Sequence, residues 1–349
     1  MKDKMMAVLK EKPGKGFTVK DVPIPKIGVN DLLVKIGIDS FCGTDSHIYE
    51  WDAWSQSRIK PPQIGGHEMG GEVIEIGKNV EGFEEGDYVA AETHIFDDTC
   101  YQCRIGNRHI CENVKILGVD VDGVWAEYAK LPAKNAWKGN PSIPKEWVSV
   151  QEPFGNAVHT VFNGNNTGVS GNTVLIAGCG PIGVCAIAIA KAAGAEKVIA
   201  TEINDFRIKL AKKMGADSVL NPKEVNIAKE ILSMTDGRGV DLFCEMSGNA
   251  MALNQGLGAV RPGGRVSILG VFPDSLNVDI TKDIVFKGIN IQGINGRLIW
   301  DTWIKTDSLL GTKKVDISPV ITHKMKLEEA NKAAELMKTG NCSKILLYP

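Results

Sequence analysis

The sequence has few of the features that define secreted or nucleic-acid-binding proteins. Only eight cysteines occur in 349 residues, too few for a disulfide framework. Aromatic residues make up 6%, and 40 basic residues are balanced by 42 acidic ones, for a net charge of −2. We therefore expect no nucleic-acid partner and no anionic membrane partner, because both require a basic surface.

Long apolar runs are also scarce. The N-terminus, MKDKMMAVLK, lacks an apolar core long enough for a signal peptide. One uncharged run, VLIAGCGPIGVCAIAIA at residues 174–190, is at the short limit for a membrane span, and glycines and a proline interrupt it. A buried strand, a turn and a buried helix fit this run better. We expect a cytoplasmic protein, in which clustered cysteines are candidate metal ligands.

The pattern of predicted elements changes near residue 172. Before it, short β-branched runs such as 32–38 and 72–76 end at Gly, Asn or Asp and indicate strands. After it, predicted strands (173–177, 197–201, 240–244, 265–269) alternate with predicted helices (181–193, 205–214, 250–260). Such alternation predicts a parallel sheet with helices on both faces. The last 50 residues predict helices at 300–310 and 327–337, and strands at 319–323 and 343–347.

A glycine motif lies between the first of these strands and its helix, with the residues Gly178-Cys-Gly180-Pro181-Ile182-Gly183. The first glycine permits a tight turn, the second lets a pyrophosphate approach the backbone, and the third lets helix and strand pack closely. The helix N-terminus adds free N–H groups for the phosphates. This context predicts a dinucleotide site.

An acidic residue at the end of the next strand indicates which dinucleotide binds. Glu202 follows Gly183 by 19 residues, where its carboxylate can accept hydrogen bonds from both adenosine ribose hydroxyls. The same charge repels a 2′-phosphate, so we predict NAD rather than NADP. Arg207 on the following helix either flanks the adenine or lies on a solvated face.

Three closely spaced cysteines predict a closed metal site. Cys100, Cys103 and Cys111 stand at the spacing Cys-x2-Cys-x7-Cys, and thiolates in such an arrangement bind zinc tetrahedrally. A fourth ligand is needed. Asp97 continues the three-residue step, and a carboxylate oxygen is an acceptable zinc ligand. Asp98 is the less favoured substitute because it breaks that step.

Other candidate ligands are dispersed along the chain. Cys42 lies in Cys42-Gly-Thr-Asp-x-His47, His67 and Glu68 lie in Gly-Gly-His-Glu, and Glu152 precedes Pro-Phe-Gly-Asn. Composition alone does not join them. Together with the cysteine cluster and the glycine motif, in this order over the whole chain, they resemble the zinc-dependent medium-chain alcohol dehydrogenase family.

This resemblance implies a two-domain fold. A GroES-like distorted β-barrel catalytic domain would comprise residues 1–148 and 295–349. A Rossmann domain with a doubly wound parallel sheet would comprise residues 149–294 and bind NAD. The resemblance further implies an active site in the cleft between the domains and a homotetrameric assembly.

The resemblance also implies a ligand set for a catalytic zinc. Cys42, His67 and Glu152 would hold the ion, and Glu68 would be a fourth, exchangeable ligand, since catalytic zinc needs a position open to water or substrate. The second, structural zinc normally has four cysteines in this family. Here Asp97 stands at the first of those positions.

Several segments resemble the members of the family that oxidise L-threonine at its 3-hydroxyl. They are residues 47–62, the Glu-Thr-His segment ending at His94, residues 152–159, and Ile-Asn-Gly-Arg ending at Arg297. We therefore expect L-threonine as the small-molecule substrate, with zinc polarising its alcohol and NAD accepting the hydride. The alternative is a polyol or vicinal-diol dehydrogenase of the sorbitol or 2,3-butanediol type, with the same zinc and NAD.

The resemblance assigns further roles. Thr44 would take the alcohol proton, His47 would pass it towards solvent, and His94 would help to select threonine. Arg297 either meets the cofactor or is a solvated loop residue. Trp51, Trp54 and Arg58 form either a loop over the cleft or a subunit contact. A hypothesis of another class, a non-catalytic relative that binds NAD, requires loss of the zinc ligands, which this chain keeps.

Overall fold

The computed structural model describes residues 3–163 and 168–349, and its residue contacts divide the chain into two units. The first unit comprises Met1–Glu152, Leu298–Asp307 and Ile321–Pro349. The second comprises Pro153–Arg297 and Ser308–Val320. The chain thus leaves the first unit, builds the second, and returns twice.

The elements are numbered in chain order. The strands are β1 Lys4–Lys10, β2 Thr18–Pro23, β3 Asp31–Ser40, β4 Gln63–Ile64, β5 Glu68–Ile76, β6 Tyr88–Ala91, β7 His94–Ile95, β8 Lys115–Ile116, β9 Tyr128–Pro132, β10 Ala136–Trp137, β11 Thr173–Ala177, β12 Lys197–Thr201, β13 Ser218–Leu220, β14 Val240–Glu245, β15 Val260–Ile268, β16 Asn290–Gly293, β17 Ile321–Lys326 and β18 Lys344–Tyr348. The helices are α1 Gly43–Glu50, α2 Ala53–Arg58, α3 Tyr101–Arg104, α4 Lys145–Val148, α5 Gln151–Phe162, α6 Pro181–Ala192, α7 Asp205–Lys213, α8 Ile227–Met234, α9 Ala250–Ala259, α10 Asp301–Gly311 and α11 Ala330–Thr339.

The first unit is built from mostly antiparallel strands. Its largest sheet has the order β10-β6-β5-β3-β18-β17, with β9 also paired to β3, and a second sheet has the order β2-β1-β4. The C-terminal strand β18 pairs antiparallel with β3, so the end of the chain completes the sheet that β3 and β5 begin. Apolar side chains of β3, β5, β6 and β9 form a buried core on this sheet.

The second unit is a six-stranded sheet in the order β13-β12-β11-β14-β15-β16, with every neighbouring pair parallel. This is the strand order of a doubly wound dinucleotide-binding fold. All five residues of β11 are buried, because helices cover both faces of the central strands. The alternation of strands and helices predicts this architecture correctly.

Element boundaries follow the sequence pattern closely in the second unit. The predicted strands 173–177 and 197–201 coincide with β11 and β12, and α6 and α7 each end one residue before the predicted end. β13, α8 and β16 are absent from the prediction. β13 has three half-buried residues and β16 four exposed ones, so neither carries the continuous apolar run of a central strand.

No helix within the described ranges has both the length and the apolar character needed to span a membrane. The uncharged run at 174–190 forms β11, the glycine turn and most of α6. Pro181 begins α6, where its missing N–H is not needed for helical hydrogen bonds.

Candidate functional site

The register of β3 and β5 brings the first group of candidate ligands together. Ser40 at the end of β3 pairs with Glu68 at the start of β5. Cys42 follows β3 and caps the N-terminus of α1, while His67 directly precedes β5. Residues 25 positions apart in the sequence are thereby placed side by side.

Ligand atoms of Cys42, His67 and Glu68 lie within 4.8 Å of one another. Ligands of one tetrahedral zinc ion are separated by roughly 3.4–3.8 Å, given bond lengths of about 2.1–2.3 Å. Thiolate, imidazole and carboxylate are all donors that zinc accepts. The three side chains therefore fit a zinc ion in both spacing and chemistry.

A buried carboxylate, that of Asp45, lies next to the His67 imidazole. Its Oδ1 is 3.8 Å from His67 Nδ1, and its Oδ2 accepts a hydrogen bond from the Cys42 N–H. Burial raises the pKa of Asp45 to about 6, although the nearby imidazole opposes this shift. Burial lowers the pKa of His67, but the charges of Cys42 and Asp45 outweigh it and raise this pKa to about 10. A divalent cation among the donors would compete with that proton.

Glu68 is fully buried and paired with a residue 276 positions away. Lys344, on β18, donates to both oxygens of its carboxylate, and Ser40 Oγ donates to Oε2. Burial lowers the pKa of Lys344, but the charge of Glu68 outweighs this effect and raises it. The two side chains form a buried ion pair, and a metal ion would compete with the lysine for the Glu68 carboxylate.

Glu152 and His94 are both buried in the same unit. Thr93 Oγ1 donates a 3.1 Å hydrogen bond to Glu152 Oε1. Among the described residues, Glu152 is not in the set of donors within 4.8 Å of one another, although its charge acts on His67 and Lys344. His94 Nδ1 is 3.1 Å from the His109 carbonyl oxygen, which can only accept, so Nδ1 carries the proton.

The cysteine cluster folds as a separate lobe around α3. Ligand atoms of Asp97, Cys100, Cys103 and Cys111 lie within 4.8 Å of one another. Cys100 Sγ and Cys111 Sγ are 3.8 Å apart, the separation expected of two thiolates on one zinc ion. All eight cysteines are free of disulfides.

Backbone N–H groups of this lobe are directed at the sulfur atoms and the carboxylate that would bind a cation. The Cys103 N–H points at Cys100 Sγ, and the Asp97 and Asn113 N–H groups point at Cys111 Sγ, each at 3.4 Å. Burial raises the pKa of Cys100, but hydrogen bonds, first that from the Cys103 N–H, outweigh this effect and lower it, which favours the thiolate that binds metal. Hydrogen bonds from Asn113 and from the Cys100 and Thr99 N–H groups hold the pKa of Asp97 well below its ordinary value. The set of four fits zinc.

The glycine motif forms the turn between β11 and α6. Gly178 has φ +92°, a conformation that favours glycine. A Cβ at position 183 would lie 2.0 Å from the Gly178 carbonyl oxygen, whereas one at position 180 would meet nothing within 4 Å. The third glycine thus permits close packing, and the second leaves open space at the N-terminus of α6, where a pyrophosphate fits.

Glu202 follows β12, and backbone donors orient its carboxylate. Oε2 accepts from the Cys179 N–H at 2.9 Å, and Oε1 accepts from the Ile203 and Asn204 N–H groups at 2.8 and 3.1 Å. These bonds hold the carboxylate beside the glycine turn. Arg207 Nε is buried and has no hydrogen-bond partner among the described residues.

Arg297 is 1% exposed, and its Nη1 donates a 3.1 Å hydrogen bond to Asn156 Oδ1. It is therefore not a solvated loop residue. Arg58 forms a bidentate pair with Asp120, with distances of 2.9 and 2.7 Å. This pair fixes the end of α2 to the loop after β8. Trp54 is 38% exposed, and its ring lies 6.2 Å from the His47 ring.

Three residues around these ligands were not assigned from the sequence. Asp45 belongs to the quoted Cys42 motif, so its position could have indicated a partner for a ligand. Thr93 lies in the Glu-Thr-His segment. Lys344 lies on the last strand, and no feature of the sequence relates it to Glu68.

The comparisons with known proteins identify the class. The alcohol dehydrogenase GroES-like domain matches residues 28–145, and the zinc-binding dehydrogenase domain matches residues 181–311. The chain belongs to the zinc-binding alcohol dehydrogenase family. The expected combination of a GroES-like barrel and a Rossmann domain is confirmed.

Within that family, the chain is similar to a particular enzyme. It is 52% identical to the L-threonine 3-dehydrogenase of Pyrococcus horikoshii over 347 residues, which cover 99% of each chain. Two similar solved structures each cover 100% of both chains, with TM-scores of 0.91. One, from Sinorhizobium meliloti 1021, is described as a zinc-binding dehydrogenase bound to NADP and is 29% identical. The other, an alcohol dehydrogenase from E. coli CFT073 with NADH, is 27% identical.

Proposed function

We propose that this protein is a zinc-dependent dehydrogenase that oxidises L-threonine at its 3-hydroxyl to 2-amino-3-oxobutanoate, with reduction of NAD to NADH. The identity of 52% over 99% of the chain to an L-threonine 3-dehydrogenase is the observation that carries this proposal. The buried donors Cys42, His67 and Glu68 support it, because such a set fits a Lewis-acidic metal.

Cys42, His67 and Glu152 would hold the catalytic zinc, with Glu68 as the exchangeable ligand. When bound, the zinc lowers the pKa of the substrate alcohol and polarises its oxygen. The pairing of Glu68 with Lys344 supports an exchangeable role, because the carboxylate has a cationic partner to return to when a water or substrate oxygen takes its place.

Proton transfer would begin at Thr44. Its Oγ1 is 3.7 Å from Cys42 Sγ, so a hydroxyl lies directly beside a proposed ligand. His47 is three residues further along α1, on the same face of the helix. Thr44 would take the alcohol proton and His47 would pass it to solvent. When bound, NAD would supply the acceptor for the hydride of the threonine β-carbon.

Two side chains, the carboxylate of Glu152 and the imidazole of His94, would recognise the amino acid substrate. Glu152 is buried and ionisable, and it or a neighbouring group would receive the substrate ammonium. His94 would present Nε2, since its Nδ1 is committed to the His109 carbonyl. A diol has no ammonium group, and both contacts favour threonine over it.

NAD would bind at the turn of Gly178, Gly180 and Gly183, with Pro181 and Ile182 at the N-terminus of α6. Glu202 would bind the adenosine ribose, Arg207 would flank the adenine, and Arg297 would contact the cofactor. The preference for NAD over NADP rests on the fixed carboxylate of Glu202, whose charge opposes a 2′-phosphate. We further propose a structural zinc at Asp97, Cys100, Cys103 and Cys111, and a cytoplasmic homotetramer.

The test is NADH formation by purified, zinc-loaded protein with NAD. L-threonine, D-threonine, L-serine, D-sorbitol and 2,3-butanediol are compared at saturating concentrations. We expect L-threonine to be oxidised at least about tenfold faster than any diol, which corresponds to about 1.4 kcal/mol in the transition state. Preference for a diol would leave zinc and NAD in place but overturn the roles of Glu152 and His94.

A further inference from the structure

A short segment after α1 contacts the proposed proton relay directly. Trp51 ends α1 in the left-handed conformation, with φ 60° and ψ 45°. This turn reverses the chain, so that the next residue, Asp52, comes back beside His47. Asp52 then caps α2, where its Oδ1 accepts from the Ser55 N–H at 2.9 Å and from Ser55 Oγ at 3.0 Å.

The second oxygen of Asp52 is committed to the histidine. Oδ2 lies 2.6 Å from His47 Nδ1. A carboxylate that is ionised can only accept, so Nδ1 carries the hydrogen, and in the neutral imidazole the lone pair is on Nε2. Burial raises the pKa of Asp52, but hydrogen bonds from Ser55 and His47 outweigh this effect and lower it. The carboxylate therefore stays ionised at neutral pH.

The indole of Trp54 limits the movement of the imidazole. The two ring centroids are 6.2 Å apart with an interplanar angle of 69°, an edge-to-face contact. The His47 side chain is 63% exposed, so few other contacts oppose its rotation. The contacts to the ring are the hydrogen bond with Asp52 and the edge-to-face contact with Trp54.

We propose that Asp52 is a positioning residue, which with Trp54 holds His47 in the tautomer whose Nε2 accepts the relayed proton. This inference rests on the proposed function. Nδ1 donates to Asp52, Nε2 takes the proton that leaves Thr44, and the imidazolium then releases a proton to solvent. Asp52 itself never takes the proton.

Two substitutions separate this role from the capping of α2. In Asp52→Asn the amide oxygen can still cap Ser55, but the amide NH₂ then faces His47 and requires Nδ1 to accept. The ring would change to the Nε2–H tautomer. In Asp52→Ser the hydroxyl caps α2, since serine is a good N-cap, but it does not reach the imidazole. Asp316→Asn is the control for the loss of one carboxylate charge, because Asp316 also accepts a backbone N–H, that of Ser318 two residues further on.

The first measurement is the tautomer of His47, by long-range ¹H–¹⁵N correlation on protein labelled with ¹⁵N-histidine. The His47→Asn spectrum assigns the signal. We expect Nδ1–H in the wild type and in Asp316→Asn, and Nε2–H in Asp52→Asn. This measurement needs no turnover, so its result does not depend on which substrate the enzyme oxidises.

The second measurement is steady-state oxidation of L-threonine. We expect kcat to fall about tenfold in Asp52→Asn and about threefold in Asp52→Ser, with both KM values within about twofold. These losses are below the 10²–10⁴-fold of full general-base catalysis because an exposed ring can still turn. In the His47→Asn background, Asp52→Asn should cause no further loss.

Three results would overturn the inference: the Nε2–H tautomer in the wild type, the Nδ1–H tautomer in Asp52→Asn, or an equal loss of kcat from Asp52→Asn when His47 is already replaced. An equal loss of kcat in the His47→Asn background would show that Asp52 has only a structural role. If instead L-threonine is not oxidised while the tautomers behave as expected, the proposed function fails and the positioning of His47 remains.

Discussion

Cys42 has two functions at the scale of a single residue. It occupies the N-cap of α1, with extended backbone angles of φ −101° and ψ 157°, and it presents a thiol to His67 and Glu68. The Asp45 carboxylate accepts the Cys42 N–H, so the backbone of the proposed ligand is fixed before any metal binds. A ligand held in this way loses little conformational freedom on binding.

Replacing this thiol tests the catalytic metal site. Cys42→Ser should lower the zinc content by about one ion per chain and reduce turnover at least about 10³-fold, because serine is a poor zinc ligand at neutral pH. Metal analysis and NADH formation provide the measurements. Cys342→Ala, in the buried core of the same unit, is the control. Full zinc and full turnover in Cys42→Ser would show that the site is elsewhere.

Glu202 is the residue on which cofactor choice depends. Glu202→Gln keeps an acceptor for the surrounding backbone N–H groups but removes the charge. We expect the ratio of kcat/KM for NAD to that for NADP to fall about tenfold, because a 2′-phosphate is no longer repelled and the ribose loses a strong acceptor. Glu196→Gln, an exposed carboxylate in the same unit, should leave the ratio unchanged. An unchanged ratio in Glu202→Gln would reject the ribose assignment.

At the scale of elements, the lobe around α3 shows how a short segment can depend on an ion. Its buried apolar cluster is small, and α3 has only four residues. The cluster comprises Phe96, Cys103, Cys111 and Ile299, with Cys100, Val114 and Trp300 packed against it. A helix of one turn is not stable alone. The proposed metal would link Cys100, the N-cap of α3, and Cys103 within it to Asp97 and Cys111 on either side of the helix.

The fourth ligand can be tested within this lobe. Asp97→Cys should retain zinc about tenfold longer against a chelator, because thiolate is the softer ligand, and Asp97→Asn should lose it faster. Asp98→Asn is the matched comparison, since Asp98 pairs with Arg108 and Lys134. Zinc remaining per chain is measured against time. If Asp98→Asn lost zinc faster than Asp97→Asn, Asp98 rather than Asp97 would be the fourth ligand.

At the scale of the whole molecule, the chain forms two units whose segments interleave. The C-terminal strand β18 supplies Lys344 to Glu68 and pairs with β3, so the first unit needs both ends of the sequence. Folding of this unit therefore requires contacts between residues 276 to 308 positions apart, which form slowly because loop closure costs entropy.

The assembly is the property to measure at this scale. We expect light scattering after size exclusion to give a mass of about four times the 37.7 kDa of one chain. Protein at micromolar and at tenfold lower concentration should give the same mass. A single-chain mass under both conditions would contradict the homotetramer while leaving the proposed chemistry of each chain unaffected.

The second unit was largely predictable, for local reasons. The strands around Leu175 and Ile199 carry continuous apolar runs, and the glycines between β11 and α6 mark a turn that few other residues permit. Asp97 and the three cysteines were also predictable as a group, because they lie within 15 residues. Period, spacing and turn chemistry are properties of neighbours along the chain.

The sequence by itself determined the parallel sheet with helices in the second unit, the dinucleotide motif and the cysteine cluster, because each depends on residues close together in the chain. The GroES-like fold of the first unit was expected only from the family resemblance. Joining Cys42 to His67 required a resemblance, and the structure explains it through the register of β3 and β5. Only the tertiary structure decided that Lys344 pairs with Glu68, that Arg297 is buried, and that Asp52 turns back to His47. These contacts follow from strand pairing and one left-handed turn, which bring together side chains that no local pattern relates.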